Sequence, residues 1–150
     1  MQKTYQVSGA SAFEFNVALK GGHTLLAVLW YDEEGPGWWN IAGTGGYAEF
    51  AWDIGPLTGS WQTSVRTQHE YDSELPFHDK TFKHKKGTTQ YEFWLDLRAA
   101  SNTGQPTDFI VEFQVAQNGA SVAPDDGTPV IALKPGKVSV DNYVKVVFQV

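Results

Sequence analysis

The stretch Tyr91-Glu92-Phe93-Trp94-Leu95-Asp96-Leu97-Arg98 decides the fold class, because its odd-numbered residues are large and apolar, whereas three of the others are charged. Successive side chains of a β-strand point to opposite faces, so the four apolar residues share one face. Such a face packs on a core and the other face meets water, which is typical of antiparallel sheets. The stretch therefore predicts a half-buried strand, with Trp94 on the side away from the core.

The same period of two recurs in five other stretches of the chain, which are residues 13–19, 50–54, 61–69, 109–115 and 144–150. Glycine and proline suit the turns between strands, and Gly35-Pro36-Gly37 and Pro135-Gly136 are two of the predicted turns. The pattern predicts one all-β domain, residues 1–150, with about nine or ten strands and at most one short helix. An antiparallel β-sandwich is expected, and a closed β-barrel is the alternative.

The composition excludes several classes of protein. Without cysteine, the 150 residues form neither disulfides nor thiolate zinc sites. The net charge of −6 argues against nucleic acid as a partner. No apolar run reaches about 18 residues, so we expect no transmembrane segment. The first residues show no apolar signal segment, so we expect a cytoplasmic protein or one secreted without a visible signal peptide.

The segment 68–88 interrupts the alternation with a long polar stretch that holds three of the four His residues. Long connections between strands often carry function, so a small β-barrel or sandwich enzyme that uses this His-, Asp- and Glu-rich loop is one alternative. The spacing matches no metal-ligand signature, so we predict no metal. The candidate ligands would be His69, His78 and His84, in a cluster with Glu70, Asp72 and Asp79. No nucleophile elbow or phosphate loop is present, so the sequence favours a protein that is not an enzyme and binds no cofactor.

Residues 22–41 predict an aromatic-rich hairpin, with a buried strand, an acidic Gly-Pro-Gly turn and a return strand. Trp38 and Trp39 are adjacent, so they face opposite sides of their strand, and one of them lies on a surface, a rim or an interface. Rings beside carboxylates and amides suit sugars, and they also suit a choline head group through cation–π attraction. Core packing of the hairpin rings is the competing interpretation. The candidate binding residues are Trp30, Tyr31, Asp32, Trp38, Trp39, Asn40 and Trp94.

The hairpin resembles a segment of the actinoporin family of membrane-binding toxins. The matching residues are Gly22, Thr24, Leu25, Ala27 to Leu29, Tyr31-Asp32 and Trp38-Trp39-Asn40-Ile41. The resemblance implies a β-sandwich, which that family shares with the mushroom fruit-body lectins, and an aromatic loop that meets phosphocholine head groups or glycans. It implies no pore formation, because the long N-terminal helix and the basic run of the family have no counterpart in this sequence.

The sequence thus predicts a non-enzymatic, lectin-like binding module that recognises a glycan or a lipid head group at aromatic loops. Single sugar sites bind weakly, so a homo-oligomer with several sites is a further expectation. The remaining alternative is a protein-interaction or structural subunit. It rests on Trp94 and Ile110, which lie opposite the core-facing residues of their strands and are expected to contact another chain.

Overall fold

The computed structural model describes residues 1–20, 24–31, 35–42, 47–67, 79–101 and 103–150. Within these residues the chain is all-β, as predicted, and contains no helix. Among the described residues there is therefore no helix long and apolar enough to span a bilayer. The described strands are β1 (Gln2–Gln6), β2 (Phe13–Lys20), β3 (Thr24–Tyr31), β4 (Gly35–Ala42), β5 (Tyr47–Ile54), β6 (Ser60–Thr67), β7 (Asp79–Lys83), β8 (Gln90–Ala100), β9 (Thr107–Gln117), β10 (Ala120–Val122), β11 (Val130–Lys137) and β12 (Ser139–Gln149).

The strands form two sheets whose inner faces share one core, consistent with the predicted β-sandwich. The five-stranded sheet has the order β1-β12-β8-β3-β4. The seven-stranded sheet has the order β10-β9-β2-β5-β6-β7, with β11 also paired to β9. All pairs are antiparallel except β1 with β12, which is parallel. The closed-barrel alternative is wrong, because each described sheet ends in edge strands.

Alternation along the strands builds the core as predicted. Tyr91, Phe93, Leu95 and Leu97 of β8 are buried, and the inward residues of β9 are buried in the same way. Phe148 of β12 lies at the centre of an aromatic cluster that joins the two sheets. Its ring centroid is 5.4 Å from that of Phe15 in the other sheet and 5.4 Å from that of Phe93. Edge-to-face aromatic pairs of this kind add to the free energy gained by burying the rings.

The prediction of nine or ten strands falls short of the twelve that are described. The segment 68–88 is not one uninterrupted connection, because β7 lies inside it and pairs with β6 from Ser60↔Lys83 to Ser64↔Asp79. Strand β7 is short, charged and at the edge of its sheet. Charged residues protect sheet edges from association, and the same charges made the strand resemble a loop in sequence.

Two predicted turns are wrong, because both lie inside edge strands. Gly35-Pro36-Gly37 opens β4, and Pro135-Gly136 lies in β11. Proline lacks an N–H donor, but an edge strand has one side with no partner strand and can accommodate it. In β11 the pairing register shifts between Leu133 and Lys137, and Gly136 has a φ of 71°, a conformation that glycine adopts readily. Its N–H donates a hydrogen bond of 3.0 Å to Asp108 Oδ1.

Ile110 is only partly buried, as expected for a residue opposite the core side of its strand. Because β9 lies between two partner strands, Lys20 and Ala132 flank Ile110 in the register. The prediction that Ile110 contacts another chain is not tested by this arrangement.

The parallel strand β1 is held by a buried lysine. Lys3 is 4% exposed, and its Nζ donates hydrogen bonds to Asp126 Oδ2 at 2.6 Å and to the Thr128 carbonyl at 2.5 Å. The Asp125 N–H also donates to the Thr4 carbonyl at 2.9 Å. These contacts tie β1 of one sheet to the segment between β10 and β11 of the other, which we call the 123–129 segment.

The aromatic cluster around Phe148 predicts the first stability result. Phe148→Ala should lower the free energy of unfolding by about 3–5 kcal/mol, because it removes a fully buried ring that contacts both sheets. Phe148→Leu should lower the free energy of unfolding by less, because the leucine side chain fills part of the space left by the ring. Urea unfolding measures both changes, and Val138→Ala on the exposed surface, with an expected change within about 0.5 kcal/mol, is the control. A Phe148→Ala midpoint equal to the control would contradict this role.

The contact between Lys3 and Asp126 predicts a pH effect. Hydrogen bonds from Lys3 and from the Thr128 N–H hold the pKa of the Asp126 carboxyl below its usual value of 3.8. A carboxyl whose pKa is lower in the folded state than in the unfolded state stabilises the folded protein above pH 3.8. This stabilisation is lost as the pH falls through the folded-state pKa. Asp126→Asn should therefore be less stable than wild type at neutral pH, and the difference should shrink in acid. A difference in urea midpoint that is constant with pH would rule out this linkage.

Candidate functional site

The structure describes the predicted binding residues to different extents. Trp30 and Tyr31 lie at the end of β3, and Trp38, Trp39 and Asn40 lie in β4. The backbone of these five residues is described, and their side chains lie outside the description. Asp32 lies outside the described residues altogether. The predicted hairpin itself is present, since β3 pairs with β4 from Thr24↔Ala42 to Tyr31↔Gly35.

The pairing register relates the hairpin to Trp94. Strand β3 lies between β4 and β8, and its Trp30 is the cross-strand partner of Trp94, whereas Tyr31 is the partner of buried Phe93. Directly opposed residues of an antiparallel pair share one face of the sheet. Trp30 therefore occupies a register position on the outward face. Trp38 pairs with Val28, two residues from Trp30, and so has the same parity.

Trp94 is the candidate residue whose side chain is described, and the prediction that it lies outside the core is confirmed. Its side chain is 37% exposed in β8, an inner strand of the five-stranded sheet. The Nζ of Lys145, its cross-strand partner, lies 5.4 Å from the centroid of the indole. The same Nζ forms an ion pair with Glu92 Oε1 at 2.5 Å, and Gln90 Nε2 donates to that carboxylate oxygen at 2.8 Å. The Lys145 ammonium thus lies over the indole ring, and part of Trp94 is in solvent.

Tyr143 belongs to the same face, although it was not among the predicted binding residues. It is 52% exposed in β12, two residues before Lys145, and pairs with Asp96 two residues after Trp94. Such diagonal neighbours have Cα atoms about 7–8 Å apart, within reach of aromatic side chains. The alternation of Val144, Val146 and Phe148 was the signal that could have found it. We call the outward surface formed by Trp94, Tyr143, Glu92 and Lys145 the Trp94 face.

The histidines of 68–88 do not form a described metal site. His69 and His78 lie outside the described residues. His84 Nδ1 is 2.5 Å from Tyr91 Oη, and that hydroxyl donates to the Leu57 carbonyl at 2.7 Å. Because the Tyr91 hydroxyl donates its proton to the Leu57 carbonyl, Nδ1 of His84 carries a proton and donates it to the Tyr91 hydroxyl oxygen. In the part of the chain that the structure describes, no three His, Asp or Glu side chains are grouped to hold a metal.

Comparisons with protein-family models, with curated proteins and with solved structures find no match for this chain. The resemblance of residues 22–41 to the actinoporin hairpin therefore stays a prediction. The function is therefore inferred from the Trp94 face and from the rest of the molecular surface.

Proposed function

We propose that the protein is a non-enzymatic, lectin-like module that binds a glycan on the Trp94 face. The observation that carries the proposal is a large indole, 37% exposed, on an inner strand of a continuous sheet. The C–H face of a pyranose packs on an aromatic ring, and burial of the ring surface away from water contributes favourable free energy. In the backbone register Trp30 is the cross-strand partner of Trp94, and Trp38 has the same parity on β4.

The polar groups around Trp94 support a sugar ligand. Tyr143 can donate and accept hydrogen bonds, Glu92 accepts them, and Lys145 donates them, so the face can pair with hydroxyls in both directions. Strands β8 and β12 are paired over eleven residue pairs, from Ser139↔Ala100 to Gln149↔Gln90. A rigid platform loses little conformational entropy on binding, which favours affinity for a ligand that makes few contacts.

The charges on the face favour a glycan over a choline head group. The ammonium of Lys145 already lies 5.4 Å from the indole centroid. A quaternary ammonium bound over the same ring would meet this like charge, although the ion pair between Lys145 and Glu92 reduces the repulsion. An uncharged pyranose has no such penalty.

The same residues favour binding over hydrolysis. Glycoside hydrolysis ordinarily requires two carboxyl groups that flank the scissile bond. Among the described side chains of the Trp94 face, the one carboxylate is that of Glu92, and it is ion-paired with Lys145. This supports a role in recognition.

The test is binding to an array of neutral and charged glycans, followed by titration of the best ligand into variants. Trp94→Ala should weaken binding about tenfold or more, because it removes the stacking surface. Val138→Ala, which shortens another exposed apolar side chain, should bind as wild type does. Binding to no glycan, or equal binding by Trp94→Ala, would contradict the proposal.

Two further measurements separate the alternatives. Binding to phosphatidylcholine vesicles without binding to glycans would favour the lipid head group. Light scattering reports whether Trp94 is a subunit contact. We expect Trp94→Ala to leave the mass unchanged, whereas a fall in mass would show that another copy of the chain covers the indole.

A further inference from the structure

A concave surface lies on the outward face of the seven-stranded sheet, on the opposite side of the sandwich from the Trp94 face. It is a groove of about 980 Å³. That volume is at the upper end of the range for small-molecule sites, so the groove can accept a ligand of several linked rings. Its described lining includes no residue of the Trp94 face, so a ligand bound in the groove would be independent of the proposed function.

The floor of the groove is a row of cross-strand partners. Glu14 of β2 pairs with Asp53 of β5, which in turn pairs with Ser64 of β6. Gln62 and Gln114 lie beside this row on β6 and β9, and both are exposed. The residues adjacent to these glutamines in sequence, such as Trp61 and Phe113, are buried in the core. The polar floor is thus fixed by the same alternation that builds the core.

The turn after β9 and the segment beyond it line another side of the groove. Asn118 and Gly119 make the turn with φ values of 54° and 75°. The 123–129 segment is held by the contact between Lys3 and Asp126, and the Phe113 N–H donates a hydrogen bond of 2.7 Å to the Pro129 carbonyl. This side is therefore anchored to both sheets, and the groove is preorganised for a ligand.

We infer that this groove binds an uncharged oligosaccharide. Its described lining combines amides, hydroxyls and carboxylates, which together donate to and accept from sugar hydroxyls. The lining includes Glu14, Asp53 and Glu112 and, among the described residues, no Lys or Arg, so it disfavours anionic ligands. The aromatic residues of the lining, Phe13 and Phe113, are buried, so a ligand held by stacking is disfavoured as well.

One charge of the lining, that of Glu112, is partly neutralised by Lys20. Lys20 Nζ lies 3.0 Å from Glu112 Oε2, and Gln114 Nε2 donates to the other oxygen of Glu112 at 3.0 Å. Both hydrogen bonds hold the pKa of Glu112 below its usual value. Gln114 is thereby oriented in the groove, with its carbonyl oxygen left as an acceptor for a ligand hydroxyl.

The experiment is an NMR titration of the ¹⁵N-labelled full chain with four hexasaccharides. Cellohexaose, fully N-acetylated chitohexaose and mannohexaose are uncharged probes, and hexagalacturonate is the anionic comparator. At least one uncharged probe should shift the backbone amides of Ser64, Gln114 and Gly119, and hexagalacturonate should not. Shifts with hexagalacturonate alone, or no shift at these amides with any uncharged probe, would overturn the inference.

Variants then assign the effect to the groove. Gln62→Ala combined with Gln114→Ala should weaken the binding about tenfold, because two exposed hydrogen-bonding groups are removed. Gln105→Ala, an exposed glutamine elsewhere, is the matched control, and urea unfolding verifies that all three proteins fold. Trp94→Ala should leave this binding intact, so failure here is distinguishable from failure at the Trp94 face. Equal affinity of the double variant and Gln105→Ala would contradict the inference.

Discussion

The packing of Phe148 against both sheets is the interaction on which the rest of the structure depends. Phe148 belongs to β12, and its ring meets Phe13 and Phe15 of the other sheet as well as Phe93 of its own. With the inner faces joined in this way, the period of two places alternate residues of the strands on the outward faces. The exposed position of Trp94 and the polar floor of the groove are therefore two consequences of one buried cluster.

The two outward faces differ in chemistry and suit different contacts with a ligand. The Trp94 face offers an indole and the exposed ring of Tyr143, whereas the groove offers amides and carboxylates around Glu14 and Asp53. If both proposals hold, one chain carries two sites on opposite sides. Such a chain would link two glycans without a homo-oligomer, because multivalency needs only that both sites be engaged at once.

Local pattern was enough to predict the all-β class, the core-facing side of β8 and the outward position of Trp94. It was not enough for β7, whose charged edge sequence resembles a loop, or for the start of β4 at Gly35. The groove could not be predicted from the sequence either. Glu14 is distant along the chain from Asp53 and Ser64, and only the pairing of β2, β5 and β6 brings the three into one row. Register between strands depends on long-range pairing, which local alternation does not specify.

The most direct test of the central claim is to follow the indole N–H signals of the tryptophans by NMR while the best array glycan is added. Trp94→Phe assigns the signal of Trp94, and the buried Trp52 and Trp61 serve as internal references. If the glycan stacks on the Trp94 face, the Trp94 signal shifts to saturation and the signals of Trp52 and Trp61 stay in place. A Trp94 signal that does not move while the protein binds the glycan would contradict the account.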